Sequence, residues 1–308
     1  MTRKKILIIG ANGFTGRRIL NDLSLKQEYI VSGVSLHDDV APHSGNYQFI
    51  SADICQAGQL DRIFNDIEPD VVINTSALSV PDYCEVHHKE ANLLNIIAVE
   101  NLARHCQSAG SYFIHLSTDF VFGGEANRLY TEEDPTQPVN YYGYTKMEGE
   151  KLVQRHCSKH TIVRVAVVYG TALPGQHGNV LQLVADRLRK HEEVRVVSDQ
   201  WRTPTFVGDV SLGIEKLIAR AFNKTAPAVS SIYHICGNEC LTIAEIAYRV
   251  ATILGLDKSL IHPVTTQEMQ EKTPRPRFSG MSTLKAQKEL DYTPLSLDKG
   301  IKEMFESL

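Results

Sequence analysis

Ile6-Leu-Ile-Ile-Gly10-Ala-Asn-Gly13-Phe-Thr-Gly16 is the stretch of sequence that decides the fold. A short apolar run enters a glycine loop, and an amphipathic helical pattern begins where the loop ends. Glycines at such a junction permit a tight turn, a close approach of the backbone to a pyrophosphate, and close packing of helix on strand. The first N–H groups of the helix would then face the phosphates. We therefore predict a dinucleotide-binding loop made of Gly10, Asn12, Gly13, Phe14, Thr15 and Gly16.

Short apolar runs alternate with amphipathic stretches through the first half of the chain. Buried strands separated by helices indicate a parallel sheet covered on both faces and joined by right-handed crossovers. We predict an α/β fold, a Rossmann-like doubly wound parallel sheet with a smaller C-terminal substrate-binding lobe. The predicted strands are Ile6–Ile9, Ile30–Val34, Val71–Asn74, Tyr112–Ser117 and Thr161–Val165, and the predicted helices are Gly16–Leu25, Ala57–Ile67, Glu90–Ser108 and Asn140–His156.

The pattern loosens after Tyr169. We expect residues 1–170 to form the dinucleotide-binding domain and residues 171–308 to form mainly the substrate-binding lobe, with segments between about 194 and 235 returning to the main domain. The strand candidates Val194–Val197 and Ile232–Ile235 either join the main sheet or build a small one. Further helices are predicted at Val180–Lys190, Val207–Ala221, Ile243–Leu254, Thr283–Leu290 and Leu297–Phe305. The stretch 223–230 is linker-like but too short to separate independent domains.

Composition excludes several classes of protein. The 308 residues are 43% hydrophobic and 22% charged, which is ordinary for a globular chain and unlike disordered or collagen-like sequences. The net charge of −4 argues against a partner that is nucleic acid or an anionic membrane surface, either of which needs a basic field. There is no apolar run of about 18 residues, so we expect no membrane span.

The cysteines and the N-terminus both favour a cytoplasmic protein. The five-residue apolar run after the basic start is too short for a signal peptide and leads into the glycine loop. The six cysteines are scattered, as is usual for reduced cytosolic thiols. Cys236 and Cys240 lie close to His234, but no second pair of ligands follows, so we predict no metal site.

The spacing of the glycine loop, GxxGxxG, resembles that of extended short-chain dehydrogenases/reductases. In such folds a carboxylate at the end of the second strand binds the ribose 2′-hydroxyl of NAD. Here Ser35 and His37 occupy the expected contact positions, which favours NADPH, although Asp38 and Asp39 follow closely and leave NADH as an alternative. Further cofactor contacts expected from the order of the segments are Asp53, Ile54, Ser76, Ala77 and Leu78.

A second motif predicts the catalytic group. Tyr142 and Lys146 are four residues apart near the start of a helix, so they lie on one face, where the ammonium would favour the phenolate. A phenol whose pKa is lowered from about 10 is a better acid and base near neutral pH. The strand Tyr112–Ser117 leads into Thr118, and ligands of open α/β sheets bind at this end of the strands. We predict that Thr118, Tyr142 and Lys146 are catalytic.

Longer segments narrow the resemblance to the dTDP-4-dehydrorhamnose reductase family, over essentially the whole chain. The matching segments are Ser117-Thr-Asp-Phe-Val-Phe-Gly-Gly124, Tyr130-Thr-Glu-Glu-Asp134, Pro138-Val-Asn-Tyr-Tyr-Gly-Tyr-Thr-Lys146, Arg164 through Gly170, Gly178-Asn179, Asp199-Gln200 with Pro204-Thr205, and Arg275-Pro-Arg-Phe-Ser279. The resemblance implies reduction of a 4-keto group on a nucleotide-activated deoxysugar. Hydride would come from the nicotinamide, Tyr142 would deliver the proton, Thr118 would orient the oxygen, and Lys146 would bind the nicotinamide ribose.

The resemblance also implies a substrate site. Thr118 and Asp119 should touch the sugar, and Val167 stands where many members carry an aromatic residue of the sugar pocket. Arginines in the later loops could bind the diphosphate in bidentate fashion, and the single tryptophan could stack on sugar or base. The remaining predicted contacts are Asn179, Trp201, Arg202, Arg275 and Arg277.

Three other functions remain open from the sequence. A nucleotide-sugar epimerase or dehydratase shares the Thr, Tyr and Lys set but retains NAD. A non-catalytic NADP-binding regulatory subunit is a second alternative, because the regulatory subunit of methionine adenosyltransferase resembles the same family. An orphan reductase acting on an unrelated carbonyl is the third. The apolar residues of Glu90–Ser108 are compatible with a homodimer face or with packing on the sheet.

Overall fold

Apolar strands and amphipathic helices alternate in the order predicted from the sequence. A computed structural model describes residues 3–41, 45–173, 176, 178–223 and 230–306. Its first half contains β1 (Lys4–Ile9), α1 (Phe14–Ser24), β2 (Tyr29–Ser35), β3 (Tyr47–Ser51), α2 (Ala57–Ile67), β4 (Val71–Asn74), α3 (Pro81–Cys84), α4 (His88–Asn92), a π-helical turn (Leu93–Ile97), α5 (Ala98–Ala109), β5 (Tyr112–Thr118), a 3₁₀ turn (Asp119–Val121), α6 (Tyr141–His156) and β6 (His160–Val165).

The second half consists of shorter strands among five longer helices and one short one. Its elements are β7 (Val168–Tyr169), α7 (Val180–Arg189), β8 (Val194–Val197), β9 (Trp201–Arg202), β10 (Thr205–Phe206), α8 (Val207–Ala221), β11 (Ser230–His234), β12 (Leu241–Thr242), α9 (Ile243–Leu254), a 3₁₀ turn (Lys258–Leu260), β13 (Ile261–Val264), α10 (Thr266–Met269), α11 (Leu284–Leu290) and α12 (Leu297–Glu306). Of the linker-like stretch 223–230, residues 224–229 lie outside the described part.

The central sheet has seven strands, all parallel, in the order β11-β6-β5-β4-β1-β2-β3. This order reverses at β1, as in other doubly wound sheets, and confirms the predicted Rossmann-like class. All five predicted strands are present. The edge strand β3 was not among them, because its residues are half-buried or exposed and lack a continuous apolar run. The candidate at 232–235 joins the other edge as β11.

Two hydrophobic cores cover the two faces of the sheet. On one face, Ile6 and Ile8 pack with Leu20 of α1 and Leu217 of α8. On the other face, Leu7 and Ile9 of β1 pack with residues of α2 and α5. A third core joins α7, α9 and α12 and carries the paired strands β8 and β13. The candidate strand Val194–Val197 therefore builds a small sheet, whereas β11 is an edge strand of the main sheet and α8 packs on one of its faces.

Within the described residues, no helix combines the length and the apolar character needed to cross a bilayer.

Candidate active site

The glycine loop folds tightly between β1 and α1. Gly10 has a φ of +83°, and the N–H of Gly13 donates to its carbonyl at 2.9 Å. Gly16 packs so closely that a Cβ atom there would lie 2.2 Å from the same carbonyl oxygen. The helix begins at Phe14, and its N-cap residue Gly13 makes no side-chain capping bond. Gly13, Phe14 and Thr15 line a large cavity, so the uncapped N–H groups at the start of α1 are available to a phosphate bound there.

The loop after β2 is held by Arg17 and Asn12. The side chain of Asn12 donates to the carbonyl of His37 at 3.1 Å and to that of Asp38 at 2.9 Å. Buried Arg17 binds the carboxylate of Asp39 at 2.5 Å. These contacts hold the backbone of this loop close to the glycine loop.

Both acids of this loop are committed to protein partners. The second oxygen of Asp39 accepts from the hydroxyl of Tyr47 at 2.5 Å, and Asp38 accepts from the hydroxyl of Ser51. Neither acid lines the cavity, whereas Ser35 does. The carboxylates of Asp38 and Asp39 are thus directed away from the cavity.

One cavity of about 1220 Å³ lies at the carboxyl ends of the strands and extends into the C-terminal lobe. It brings together most of the residues predicted from the sequence, namely Gly10, Gly13, Phe14, Thr15, Ser35, Asp53, Ile54, Ser76, Ala77, Leu78, Thr118, Asp119, Tyr142, Lys146, Val167, Asn179, Arg202 and Arg275. The predicted residues that do not line it are Asn12, Gly16, His37, Trp201 and Arg277. Cofactor and substrate segments, far apart in the chain, therefore share one space.

The predicted catalytic pair, Tyr142 and Lys146, lies in the first turns of α6. The Oδ1 of Asn140 caps this helix by accepting the N–H of Gly143 at 2.8 Å. A Cβ at Gly143 would lie 2.2 Å from the carbonyl oxygen of Phe120, so glycine lets the helix approach the turn after β5. Tyr142 and Lys146 consequently face the strand end that carries Thr118.

Burial dominates the electrostatics of this pair. It raises the pKa of Tyr142, while a hydrogen bond with Thr118 lowers this pKa and the carboxylate of Asp119 raises it further. In the protein alone the pKa of this phenol is therefore raised and not lowered, contrary to our expectation from Lys146, because burial is the largest effect on it. Burial also lowers the pKa of Lys146, to about 8, against the opposing effect of Glu150. The Nζ of Lys146 donates to the carbonyl of Leu116 at 2.7 Å.

The acidic side of the cavity is a buried network around Asp119. Its carboxylate accepts from the hydroxyl of Thr118 at 3.1 Å and from that of Ser279, and it lies 3.5 Å from the Nε of Arg202. Arg202 is 2% exposed and also donates to the carbonyl of Trp201. This arginine lines the cavity, but its charge already has a partner inside the protein.

The other two predicted arginines are more accessible. Arg275 pairs with Glu271 and lies 3.6 Å from Asp82, and its side chain is 25% exposed. The guanidinium of Arg277 lies over the ring of Trp201, 5.7 Å from its centroid. Arg275 is therefore better placed than Arg202 to exchange its protein partners for a bound anion.

Sequence reasoning missed two buried polar residues behind the site. Asn95, in the π-helical turn, accepts the N–H of Leu78 at 2.8 Å and donates to its carbonyl and to the hydroxyl of Thr145. Asn95 thus ties the segment after β4 to α6, the helix that carries Tyr142 and Lys146. His115, inside β5, lies 3.4 Å from the Nζ of Lys146. A polar residue within an otherwise apolar run was the available signal in both cases.

Among the described residues, no cluster of three or more His, Cys, Asp or Glu side chains is arranged to hold a metal ion. Cys236 and Cys240 are free thiols.

The parallel sheet, the glycine loop and the Thr118, Tyr142 and Lys146 set at one cavity define the class of short-chain dehydrogenases/reductases. Within that class, the chain belongs to the RmlD substrate binding domain family, whose model matches residues 4–308. The family resemblance read from the sequence is thereby confirmed.

Curated relatives include two kinds of protein. A dTDP-4-dehydrorhamnose reductase of Shigella flexneri is 30% identical over 98% of this chain and 97% of its own length. The methionine adenosyltransferase 2 subunit beta of Xenopus tropicalis is also 30% identical, over 89% of this chain and 78% of its own length. Sequence identity alone therefore does not show which of these two kinds of relative the chain resembles in function.

Solved structures agree with the fold. A dTDP-4-dehydrorhamnose reductase of Clostridium acetobutylicum has a TM-score of 0.85 and 30% identity, and the match covers 98% of this chain and 99% of that one. The dTDP-4-dehydrorhamnose reductase of Bacillus anthracis, solved in complex with NADP, has a TM-score of 0.84 and 24% identity, with complete coverage of both chains.

Proposed function

We propose that the protein uses NADPH to reduce the 4-keto group of a nucleotide-activated deoxysugar, as a dTDP-4-dehydrorhamnose reductase does. The observation that carries the proposal is the convergence of Thr118, Tyr142 and Lys146 with the glycine loop on one cavity. A hydride donor and a proton donor must act on one carbonyl, and this cavity can hold both. The reductases of S. flexneri and C. acetobutylicum, each 30% identical over nearly the whole chain, support this reading.

The residues present fit a dinucleotide with a 2′-phosphate. The start of α1 has no side-chain cap, so its first N–H groups are available to the pyrophosphate. Because Gly10 and Gly16 lack side chains, the loop and the helix pack closely together and leave the backbone accessible. Asp38 and Asp39 are held by protein partners, and Ser35 would not repel a phosphate. NADPH is accordingly the preferred cofactor, with NADH as the weaker alternative. When bound, the cofactor supplies a hydride to the carbonyl carbon.

The chain's own residues manage the proton. The phenol of Tyr142 delivers its proton to the carbonyl oxygen, and the hydroxyl of Thr118 orients that oxygen. The raised pKa of Tyr142 keeps the phenol protonated until the oxygen accepts the proton. Lys146, fixed by the carbonyl of Leu116, holds the ribose next to the nicotinamide.

The C-terminal lobe holds the nucleotide and sugar. Arg275 exchanges its contacts with Glu271 and Asp82 for the diphosphate, while Arg202 holds Asp119 in place beside the sugar. Residues 1–170 serve as the dinucleotide-binding domain and residues 171–308 mainly as the substrate lobe, with β11 at the edge of the main sheet and α8 packed on that sheet. A cytoplasmic location suits the six free thiols, and a homodimer remains compatible with the fold.

Tyr142→Phe tests the proposal, with Tyr144→Phe as its matched control because Tyr144 is 42% exposed on the same helix. NADPH oxidation is followed with dTDP-4-keto-6-deoxy sugar. Loss of the proton donor should lower turnover by about 10²- to 10⁴-fold without changing NADPH affinity, and Tyr144→Phe should behave like wild type. Absence of turnover by the wild-type protein would refute the proposal.

The relatives named methionine adenosyltransferase 2 subunit beta favour one alternative, a non-catalytic NADP-binding regulatory subunit. Such a protein would bind NADPH with no turnover of the sugar nucleotide, and Tyr142→Phe would have no effect. An epimerase or dehydratase would instead be purified with tightly bound NAD.

A further inference from the structure

The histidine His115 lies directly behind the catalytic lysine. It is fully buried in β5, and its Nε2 lies 3.4 Å from the Nζ of Lys146. On the other side of the ring, Nδ1 lies 3.1 Å from the Nδ2 of Asn74 in the neighbouring strand β4. The imidazole thus bridges an amide and an amine, and both of those groups are also buried.

The orientation of the Asn74 amide is fixed by Ser76. The Oδ1 of Asn74 accepts from the backbone N–H of Ser76 at 3.0 Å and from its hydroxyl at 2.6 Å. A backbone N–H can only donate, so the oxygen end of the amide must face Ser76. The NH₂ end therefore faces His115.

This orientation determines which nitrogen of His115 carries the proton. An amide NH₂ group can only donate, so Nδ1 of His115 accepts, and the proton of a neutral imidazole lies on Nε2. The Nε2–H group then faces the Nζ of Lys146. An ammonium has three donors and no acceptor, whereas a neutral amine has a lone pair that can accept this hydrogen. A charged Lys146 would place two donors against each other.

We infer that His115, held in one tautomer by Asn74, is a positioning residue that disfavours the charged form of Lys146 and so sets the pH range of the catalytic helix. The inference rests on the function proposed above. The segment after β4, which lines the cofactor part of the cavity, is thereby connected to the protonation of Lys146 through Asn74 and His115.

Other groups around Lys146 act in both directions. From its own helix, Glu150 favours the ammonium, but Arg164 of β6 binds the Glu150 carboxylate at 2.9 and 2.7 Å and partly neutralises it. Tyr142 is the other titratable group on this face of α6. Burial, then Lys146 and then His160 of β6 lower the pKa of His115, so the imidazole stays neutral. Since the charge of His115 does not change, its effect on Lys146 depends on which ring nitrogen carries the proton.

Nuclear magnetic resonance of the intact protein tests the inference without substrate. The imidazole nitrogen shifts of His115 report its tautomer, and isotope-labelled lysine reports the titration of Lys146, whose signal is assigned by its loss in Lys146→Arg. We expect the Nε2–H tautomer in the wild-type protein. Finding the Nδ1–H tautomer would overturn the inference.

Asn74→Asp is the decisive variant, because a carboxylate can accept from Ser76 and from the Nδ1–H of His115. That change reverses the tautomer, and Nε2 then accepts from the ammonium. The midpoint of the Lys146 titration should rise by about one pH unit, as should the corresponding limb in the pH profile of kcat/KM. An unchanged midpoint in this variant contradicts the inference.

His115→Phe separates the tautomer from the added charge. In the double variant Asn74→Asp/His115→Phe, the part of the shift in the Lys146 midpoint that acts through the histidine should disappear. A shift in the double variant as large as that in Asn74→Asp alone would mean that the new carboxylate simply attracts the ammonium, and it would overturn the inference. His234→Phe is the matched control, since His234 is also fully buried but lies in β11, and it should leave the Lys146 midpoint unchanged. If His115→Phe does not fold, the tautomer of His115 in the wild-type protein and the midpoint of the Lys146 titration in Asn74→Asp still test the inference. Because both are read on the protein alone, they stand apart from whether the wild type reduces the sugar nucleotide.

Discussion

Replacing Gly16 by alanine should damage both stability and cofactor binding. The added Cβ would lie 2.2 Å from the carbonyl oxygen of Gly10 and 2.6 Å from the Oγ1 of Thr75. Restoring ordinary contact requires the helix and the loop to separate by about 1 Å. Overpacking of this kind costs about 1–3 kcal/mol, and we expect the upper part of that range because the nearest atoms are backbone.

The same displacement moves the N–H groups at the start of α1. We expect NADPH affinity to fall by about 10- to 100-fold, since a shift of about 1 Å in a positioned contact is enough for such a loss. Urea unfolding without cofactor gives the free energy, and a fluorescence titration gives the Kd of NADPH.

Gly58→Ala is the control for Gly16→Ala. Gly58 is exposed in α2, and nothing lies within 4 Å of a Cβ placed there. Alanine is the better helix former, so this variant should gain about 0.5–1 kcal/mol and bind NADPH normally. If the free energy of unfolding of Gly16→Ala lies within about 0.5 kcal/mol of the wild-type value and the variant binds NADPH equally well, close packing at Gly16 is refuted as the reason for the glycine.

Ser35→Asp should lower the NADPH-to-NADH ratio of kcat/KM by about 10- to 100-fold, because a carboxylate at the end of β2 repels a 2′-phosphate and accepts from a 2′-hydroxyl. Glu150→Gln should lower the unfolding free energy by about 3–5 kcal/mol in urea titrations, since Arg164 would stay buried without its counter-charge. Burial raises the pKa of Asp209 to about 6, so its native state binds a proton more tightly than its unfolded state. This group's contribution to stability should therefore fall by about 2 kcal/mol as the pH rises from about 4 to about 7, and Asp209→Asn, which can still accept from the N–H of Leu295, should remove that fall.

Each of these variants has a clear contrary outcome. An unchanged cofactor ratio in Ser35→Asp would mean that this strand end does not select the cofactor. Glu148→Gln, which breaks only the surface pair with Lys151, should stay within about 0.5 kcal/mol of wild type; equal losses in the two glutamate variants would contradict the role of burial. A pH slope in Asp209→Asn equal to that of wild type would assign the slope to other groups.

The features that the sequence predicted correctly are those that depend on residues close together in the chain. The bounds of Val207–Ala221 and Ile243–Leu254 agree with α8 and α9 because each helix has a regular apolar face, and α9 also has a capping box between Thr242 and Glu245. Tyr142 and Lys146 were found because four residues of helix place two side chains on one face. The glycine loop was found because its glycines stand between a strand and a helix.

What escaped prediction depends on pairs that are distant in the chain. Nothing near Arg202 in the sequence indicates that Asp119 neutralises it, and nothing near His115 shows that Asn74 and Ser76 fix its tautomer. The direction of the Tyr142 pKa was wrong for a related reason, because burial is a property of the assembled fold. Spacing along a helix identifies neighbours, but it does not measure how completely water is excluded from them.

The division of labour among the arginines follows from the same distinction. A buried guanidinium with a carboxylate partner, such as Arg202, would have to leave Asp119 uncompensated in order to bind a phosphate, and that costs several kcal/mol. Arg275 is 25% exposed, and solvent can take over its contact with the exposed Asp82 at little cost. Its other partner, Glu271, is 12% exposed and keeps a hydrogen bond from the amide of Gln200 when Arg275 moves. For the proposed function, we therefore assign the anionic part of the substrate to Arg275 and not to Arg202. The buried pair instead fixes Asp119 beside Thr118, and although burial raises the pKa of this carboxyl, Arg202 opposes that rise.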